Sequence, residues 1–272
     1  MTARMRAAIL PWRAMRITPL TELTQAARLL PPLGMVVTQL ALTCWLWHAL
    51  YHGVRVSAGL DVTQATSYAL LGVLYIQFST VDRWSNGDTM VQLMMEGTIA
   101  FWFLRPVSPR RYYLIRAAGD LAYGGALALL AYLVCLGIGA IAPPPSWAAF
   151  GATLLTLALG LMITYYLQLI VNLMCFWSTI NDAAVTAMQF ATGLLAGAFA
   201  PIWFFPSWFQ RVNEFLPFQS TLNTPLSLYV GRLPVRDLGV QAAVQVSWCA
   251  GLAVATWWLW RRASARVTVL GG

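Results

Sequence analysis

Six long apolar runs punctuate this chain, at Leu33–Tyr51, Thr66–Thr80, Ala117–Ile141, Trp147–Phe176, Ala183–Phe204 and Val240–Trp260. About 20 such residues suffice to cross the hydrocarbon core of a bilayer as a helix. Inside that core only helices and closed barrels satisfy every backbone N–H and C=O. The runs therefore predict an all-α polytopic membrane protein with six transmembrane helices. The second run is short and should extend at either end, while the fourth exceeds a bilayer and should tilt or project. Composition agrees, because only 10% of the 272 residues are charged and 59% are hydrophobic. A soluble domain carries about 25% charged residues. The missing charge marks a surface that faces lipid.

The arginines set the orientation. All 17 basic residues are arginine, and an even number of spans puts both termini on one side. Thirteen of them fall in the N-terminal segment, the second-to-third connection and the C-terminal end, against four (Arg55, Arg211, Arg232 and Arg236) on the opposite side. Lys and Arg accumulate on the cytoplasmic side of short loops, so both termini are expected in the cytoplasm. The net charge of +8 does not form a continuous basic patch, and no nucleic-acid partner is expected. The first 28 residues carry scattered arginines ahead of a full-length apolar run, which is unlike a cleavable signal. Residues 1–31 read as a cytoplasmic segment and 32–272 as the transmembrane domain. Within the segment, Thr18 and Pro19 can open a helix. Leu20, Leu23, Ala27 and Leu30 would give it an apolar stripe on the inner leaflet, ended by Pro31-Pro32.

Between the second and third runs lies Asp88–Arg116, too polar and too broken by Pro106 and Pro109 to cross a bilayer. Thr89 and Gln92 have capping-box spacing. Met90, Leu93, Met94 and Gly97 then share one helical face, with Asp88, Gln92 and Glu96 on the other. A short amphipathic helix over 88–96, held at the cytoplasmic surface, has the form of a docking element. A second irregular segment, about 201–218, precedes the last run on the outer side. Gly193, Gly197 and Pro201 weaken the end of the fifth run, and Pro206 can open a new helix. Trp208, Phe209, Val212, Phe215 and Leu216 would line one side of it and Ser207, Gln210, Arg211, Asn213 and Glu214 the other. Such a helix is expected to anchor at the outer interface or re-enter from it, with Trp203, Phe204, Phe205 and Phe218 as an aromatic belt.

Catalytic chemistry finds no purchase. The absence of lysine excludes a P-loop lysine, a Schiff-base lysine and a lysine general base. Cys44, Cys135, Cys175 and Cys249 lie inside apolar runs, which argues against a disulfide framework or zinc site. His48 and His52 have i, i+4 spacing, but two imidazoles do not complete a metal site, and interfacial histidines near Trp45 and Trp47 are the ordinary reading. Asp120 and Asp182 fall at the ends of runs, where a carboxylate reaches water, and no Gly-x-Gly-Asp motif surrounds either. No Gly-x-Ser-x-Gly nucleophile motif is present. Polar residues within the runs, Gln39, Gln77, Gln168, Asn172 and Gln189, either bond between helices or face a wet interior. With Tyr68, Tyr75 and Phe78 they would suit a cavity for an amphipathic molecule. The halves show no inverted repeat and no buried acid–base pair, against a proton-coupled carrier.

The run Glu96-Gly97-Thr-Ile-Ala-Phe-Trp-Phe-Leu104-Arg105-Pro106-Val-Ser108-Pro109 resembles a signature of ABC-2 type export permeases. Phe199-Ala-Pro-Ile-Trp-Phe-Phe-Pro206, followed by Leu216-Pro217-Phe218 and Tyr229-Val-Gly231-Arg232, resembles that family's block before the last span. The resemblance implies one membrane subunit of an exporter in a bacterial inner membrane. Its partners would be two cytoplasmic ATPase subunits, which bind the ATP and Mg, and a second permease, identical or related. This chain would bind no cofactor itself. The family's coupling helix would fall on Asp88–Glu96, contacting the ATPase. The first and fifth spans would approach the dimer axis, placing Gln39, Trp45, Gln189 and Phe190 beside a pathway to which Tyr75 and Gln77 could contribute. The cargo implied is a hydrophobic or amphipathic small molecule (a drug, antibiotic or lipid-like compound). A motor-independent facilitator or scaffold is the alternative.

Overall fold

A computed structural model describes residues 30–53, 56–57, 59–79, 109–178 and 182–270. The first helix, α1, covers Leu30–Leu50. It begins three residues before the apolar run, with Pro31 and Pro32 inside its first turn. That position tolerates proline because the first backbone N–H groups of a helix have no intrahelical acceptor. A two-residue hairpin follows, β1 (Val56–Ser57) against β2 (Leu60–Asp61), antiparallel with Val56 opposite Asp61. It leads into α2, Val62–Phe78, whose start is fixed by a capping box. Asp61 Oδ1 accepts from the Gln64 backbone N–H at 2.7 Å, and Gln64 Oε1 accepts from the Asp61 N–H at 3.2 Å.

Two long helices come next, α3 (Pro109–Gly137) and α4 (Trp147–Leu173), the latter capped by Ser146 Oγ on the Ala149 N–H. Then α5 covers Asp182–Leu195, α6 Ser207–Glu214, α7 Asn223–Tyr229 and α8 Leu238–Leu270. Single 3-10 turns occur at Met174–Phe176, Ile202–Phe204 and Val235–Asp237.

Four helical segments among the described residues are long and apolar enough to cross a membrane: Leu33–Leu50, Arg111–Gly137, Trp147–Phe176 and Val235–Ala265. Two further apolar helices are shorter, Val62–Ile76 and Ala183–Leu195. The expected fifth span, drawn to Phe204, therefore stops early. At Gly197 the backbone takes φ +79°, the left-handed conformation that closes a helix. The Ala198 N–H bonds the Gly193 carbonyl and the Gly197 N–H the Leu194 carbonyl, a Schellman ending. At the other extreme, α8 spans about 50 Å at 1.5 Å per residue, more than a hydrocarbon core requires, so it overruns the span expected at 240–260.

Helix α4 is the hub, packed by α8, α7 and α5, while α2 packs against α1, α3 and α7. One core cluster gathers Leu60, Tyr68, Leu70, Ile141, Leu222 and Tyr229 around α2 and α7. A second joins Tyr112 and Tyr113 of α3 to Tyr165 and Leu173 of α4 and Ala263 of α8. The outward faces of α1, α3 and α8 expose large apolar side chains, including Met35, Trp45, Leu130, Val134 and Val254. That arrangement suits a bundle solvated by lipid.

Candidate functional site

The end of α2, the second half of α4 and the length of α5 line a half-open cavity of about 280 Å³. Helix α2 contributes Tyr75 and Ile76, and its C-cap residue Ser79 also lines the space. Helix α4 contributes Thr164, Gln168, Val171 and Asn172, one turn apart on a single face. Helix α5 contributes Val185, Met188, Gln189, Thr192 and Gly193. No described lining residue carries a charge. The Tyr75 hydroxyl is 2.6 Å from Thr164 Oγ1. Asn172 Nδ2 donates to Tyr113 Oη at 2.7 Å, tying the cavity floor to the second core cluster.

Of the residues expected beside a pathway, Tyr75 and Gln189 thus meet at one cavity. Trp45 and Phe190 stand on the outer surface, 71% and 61% exposed. Phe190 instead packs on Phe199, with ring centroids 5.8 Å apart. Gln39 is half-buried on α1 and does not line the cavity. Gln77 lies in α2, but its side chain, like those of Phe78, Pro109 and Asp182, is outside the description. The docking helix (Asp88, Thr89, Met90, Gln92, Leu93, Met94 and Glu96) and the motif residues Gly97, Leu104, Arg105, Pro106 and Ser108 lie outside the described residues. So does the N-terminal interfacial helix up to its last residue, Leu30.

At the far end of the bundle, residues 198–233 fold back over α2 and α4. Helix α7 is buried along its length between them. It is held by Gln64 Nε2 donating to the Val230 carbonyl at 3.0 Å and Tyr68 Oη donating to Asn223 Oδ1 at 3.0 Å. Tyr229 Oη donates to the Ala142 carbonyl at 2.8 Å. The Arg232 guanidinium sits 4.4 Å above the Trp203 ring, which in turn meets Tyr68 edge-on at 5.2 Å. Partial desolvation lowers the Arg232 pKa, yet a guanidinium stays protonated at neutral pH.

Pro206 does precede a helix, α6. Its apolar residues Trp208 and Val212, and Phe215 just beyond it, are exposed, and Asn213 from the polar side is fully buried. Asn213 Nδ2 donates to the Leu195 carbonyl at 2.6 Å and Gln210 Nε2 to the Phe205 carbonyl at 2.8 Å. These bonds satisfy backbone acceptors left open where α5 and the 3-10 turn end. Phe218 packs beside the cluster of Ile163, Leu167 and Leu252, and Pro217 is buried next to it.

A second polar anchor crosses the middle of the bundle. Gln245 of α8 is fully buried, and its Nε2 donates to the Thr156 carbonyl of α4 at 2.8 Å and the Ser220 carbonyl at 2.7 Å. Nearby, a Cβ on Gly160 would stand 2.4 Å from the Thr221 carbonyl oxygen; only glycine lets the loop lie on α4. Sequence reasoning misses both Gln245 and Gly160, because within an apolar run neither shows how far along the chain its partner lies.

The four cysteines are free. His48 Nδ1 lies 2.8 Å from the Cys44 carbonyl of its own helix, and no metal-ligating cluster occurs among the described residues. Asp120 is 5% exposed, buried on α3 and not reaching water as its position near a span end implied. A model of one protein family, described as ABC-2 family transporter protein, matches residues 37–271. No curated protein and no solved structure gives a significant match.

Proposed function

This chain belongs to the ABC-2 transporter family, and we propose that it is the membrane subunit of an ATP-driven exporter for a hydrophobic or amphipathic small molecule. Permeases of this family are integral membrane transport subunits, not catalysts, and work with ABC ATPase partners. The observation that carries the reading is the family match over 37–271 in a chain without a single lysine. Such a chain cannot form a P-loop; ATP and Mg would bind on two separate ATPase subunits. A second permease, a copy or a related chain, would complete the transporter.

If α2 and α5 also cross, the chain has six spans, and the arginine count then puts both termini in the cytoplasm. In that orientation, in a bacterial inner membrane, the cavity between α2, α4 and α5 lies in the cytoplasmic half and the folded-back cap closes the outer side. Cargo would enter from the cytoplasm or inner leaflet. ATPase closure, pushing on residues 88–96, would favour the outward-facing state, which requires that the motor bind the two states with different affinity.

The test is copurification of the chain with its ATPase, followed by transport in proteoliposomes. Transport should need both ATP and the ATPase. Glu96→Arg or Leu93→Pro should abolish cargo-stimulated ATP hydrolysis while membrane insertion persists. Cargo movement by the purified chain alone would sink the exporter reading in favour of a facilitator.

A further inference from the structure

We infer that the cavity between α2, α4 and α5 recognises an uncharged, hydrogen-bonding head group, hydroxyl-rich or amide-bearing, on an apolar tail, and excludes ions. The inference rests on reading that cavity as the cargo site. A cargo dissolved in a leaflet gains little by moving its tail from lipid to a protein wall, since lipid is as apolar as leucine. Polar contacts must decide what enters.

The cavity supplies them from neutral groups. Gln189 and Thr192 lie one turn apart on α5 and face the same space. Neither side chain makes a hydrogen bond within the described protein, and both are accessible from the cavity. Asn172 spends one amide proton on Tyr113 Oη, leaving its carbonyl oxygen and second proton. An amide both donates and accepts, and a threonine hydroxyl does the same. The three together match alternating donors and acceptors on a ligand, such as sugar hydroxyls or a peptide-like amide. Ile76, Val171, Val185 and Met188 form the apolar wall for the tail.

Among the described residues, ions meet no opposite charge to offset their desolvation. No described lining residue is Asp, Glu, Arg or His, and an unpaired charge away from water costs several kcal/mol. A cation and an anion are therefore both disfavoured, whatever tail they carry.

Three amphiphiles with one tail test this: octyl glucoside, octyltrimethylammonium and octyl sulfate, each below its micellar concentration, titrated against the full chain in nanodiscs. The readout is the thermal unfolding midpoint. Octyl glucoside should raise it, and the two ions should not. Gln189→Leu should weaken the glucoside response about tenfold, the loss of one well-made hydrogen bond to a ligand. Gln189→Glu should turn the preference toward octyltrimethylammonium, a change no structural role of Gln189 would produce. Val254→Ala, on the outward face of α8, should leave the series as it was. Gln189 is exposed, so its variants keep the fold even if Asn172→Leu does not. Equal responses to all three head groups, or a series unmoved by both Gln189 variants, would overturn the inference. No ATPase is present in this assay. Head-group selectivity without ATPase coupling would keep the site and reject the exporter, and coupling without selectivity would do the reverse.

Discussion

Gln245 shows how much one side chain decides in a lipid-solvated bundle. Its amide joins α8 to α4 and to the Ser220 carbonyl, where water cannot substitute. Gln245→Leu should destabilise the protein by about 1–2 kcal/mol, the range for a hydrogen bond between membrane helices. Thermal unfolding in detergent or nanodiscs would read it. A pair of glycines in α4 gives a sharper contrast. Gly160→Ala drives a methyl onto the Thr221 carbonyl and should cost about 1–3 kcal/mol as overpacking. Gly151→Ala meets nothing within 4 Å, and its better helix propensity should leave stability unchanged or slightly raised. If both variants unfold alike, the close approach of the loop is not what Gly160 serves. Neither Gln245 nor Gly160 announces this role in sequence, because their partners lie 89 and 61 positions away, at Thr156 and Thr221.

Among the elements, α6 is the most instructive. Its two faces are plain from the order of residues, but periodicity says only that two faces exist. Which one turns inward depends on the solvent outside. Beside a bilayer the aromatic face can stand outward, and the amide of Asn213 turns in to meet the open end of α5. Asn213→Leu should release α6 and speed hydrogen exchange across Ser207–Glu214, with little change in α4. Exchange unchanged in α6 would mean that the aromatic face alone holds it. Helix α7 has no comparable sequence signal. Seven residues containing Pro225 are too few to show a helical stripe, and its burial comes from Gln64, Tyr68 and Tyr229 reaching carbonyls and amides brought there by the fold.

Over the whole molecule, α1 and α5 present exposed apolar side chains at Trp45 and Phe190. If the family's dimer axis runs between them, Phe190→Cys in a background lacking the four native cysteines should yield a cross-linked dimer in membranes. An exposed lipid-facing control, Val254→Cys on α8, should not. Cross-linking only at Val254 would move the interface to the other side of the bundle.

The sequence by itself determined the solvent, the helical class and the family, and it set the arginines beside the apolar runs. Each rests on quantities that are local along the chain: transfer free energy summed over a run, charges beside that run, and short motifs. Its span ends were less secure, since a left-handed turn at Gly197 and prolines tolerated in the first turn of α1 moved them. Tertiary structure alone decided which polar residues converge. Tyr75 and Gln189 share a cavity while Trp45 and Phe190 do not, and Gln245 and Arg232 became anchors. A polar group in lipid must find its partner across the bundle, and that pairing exists only once distant helices have packed.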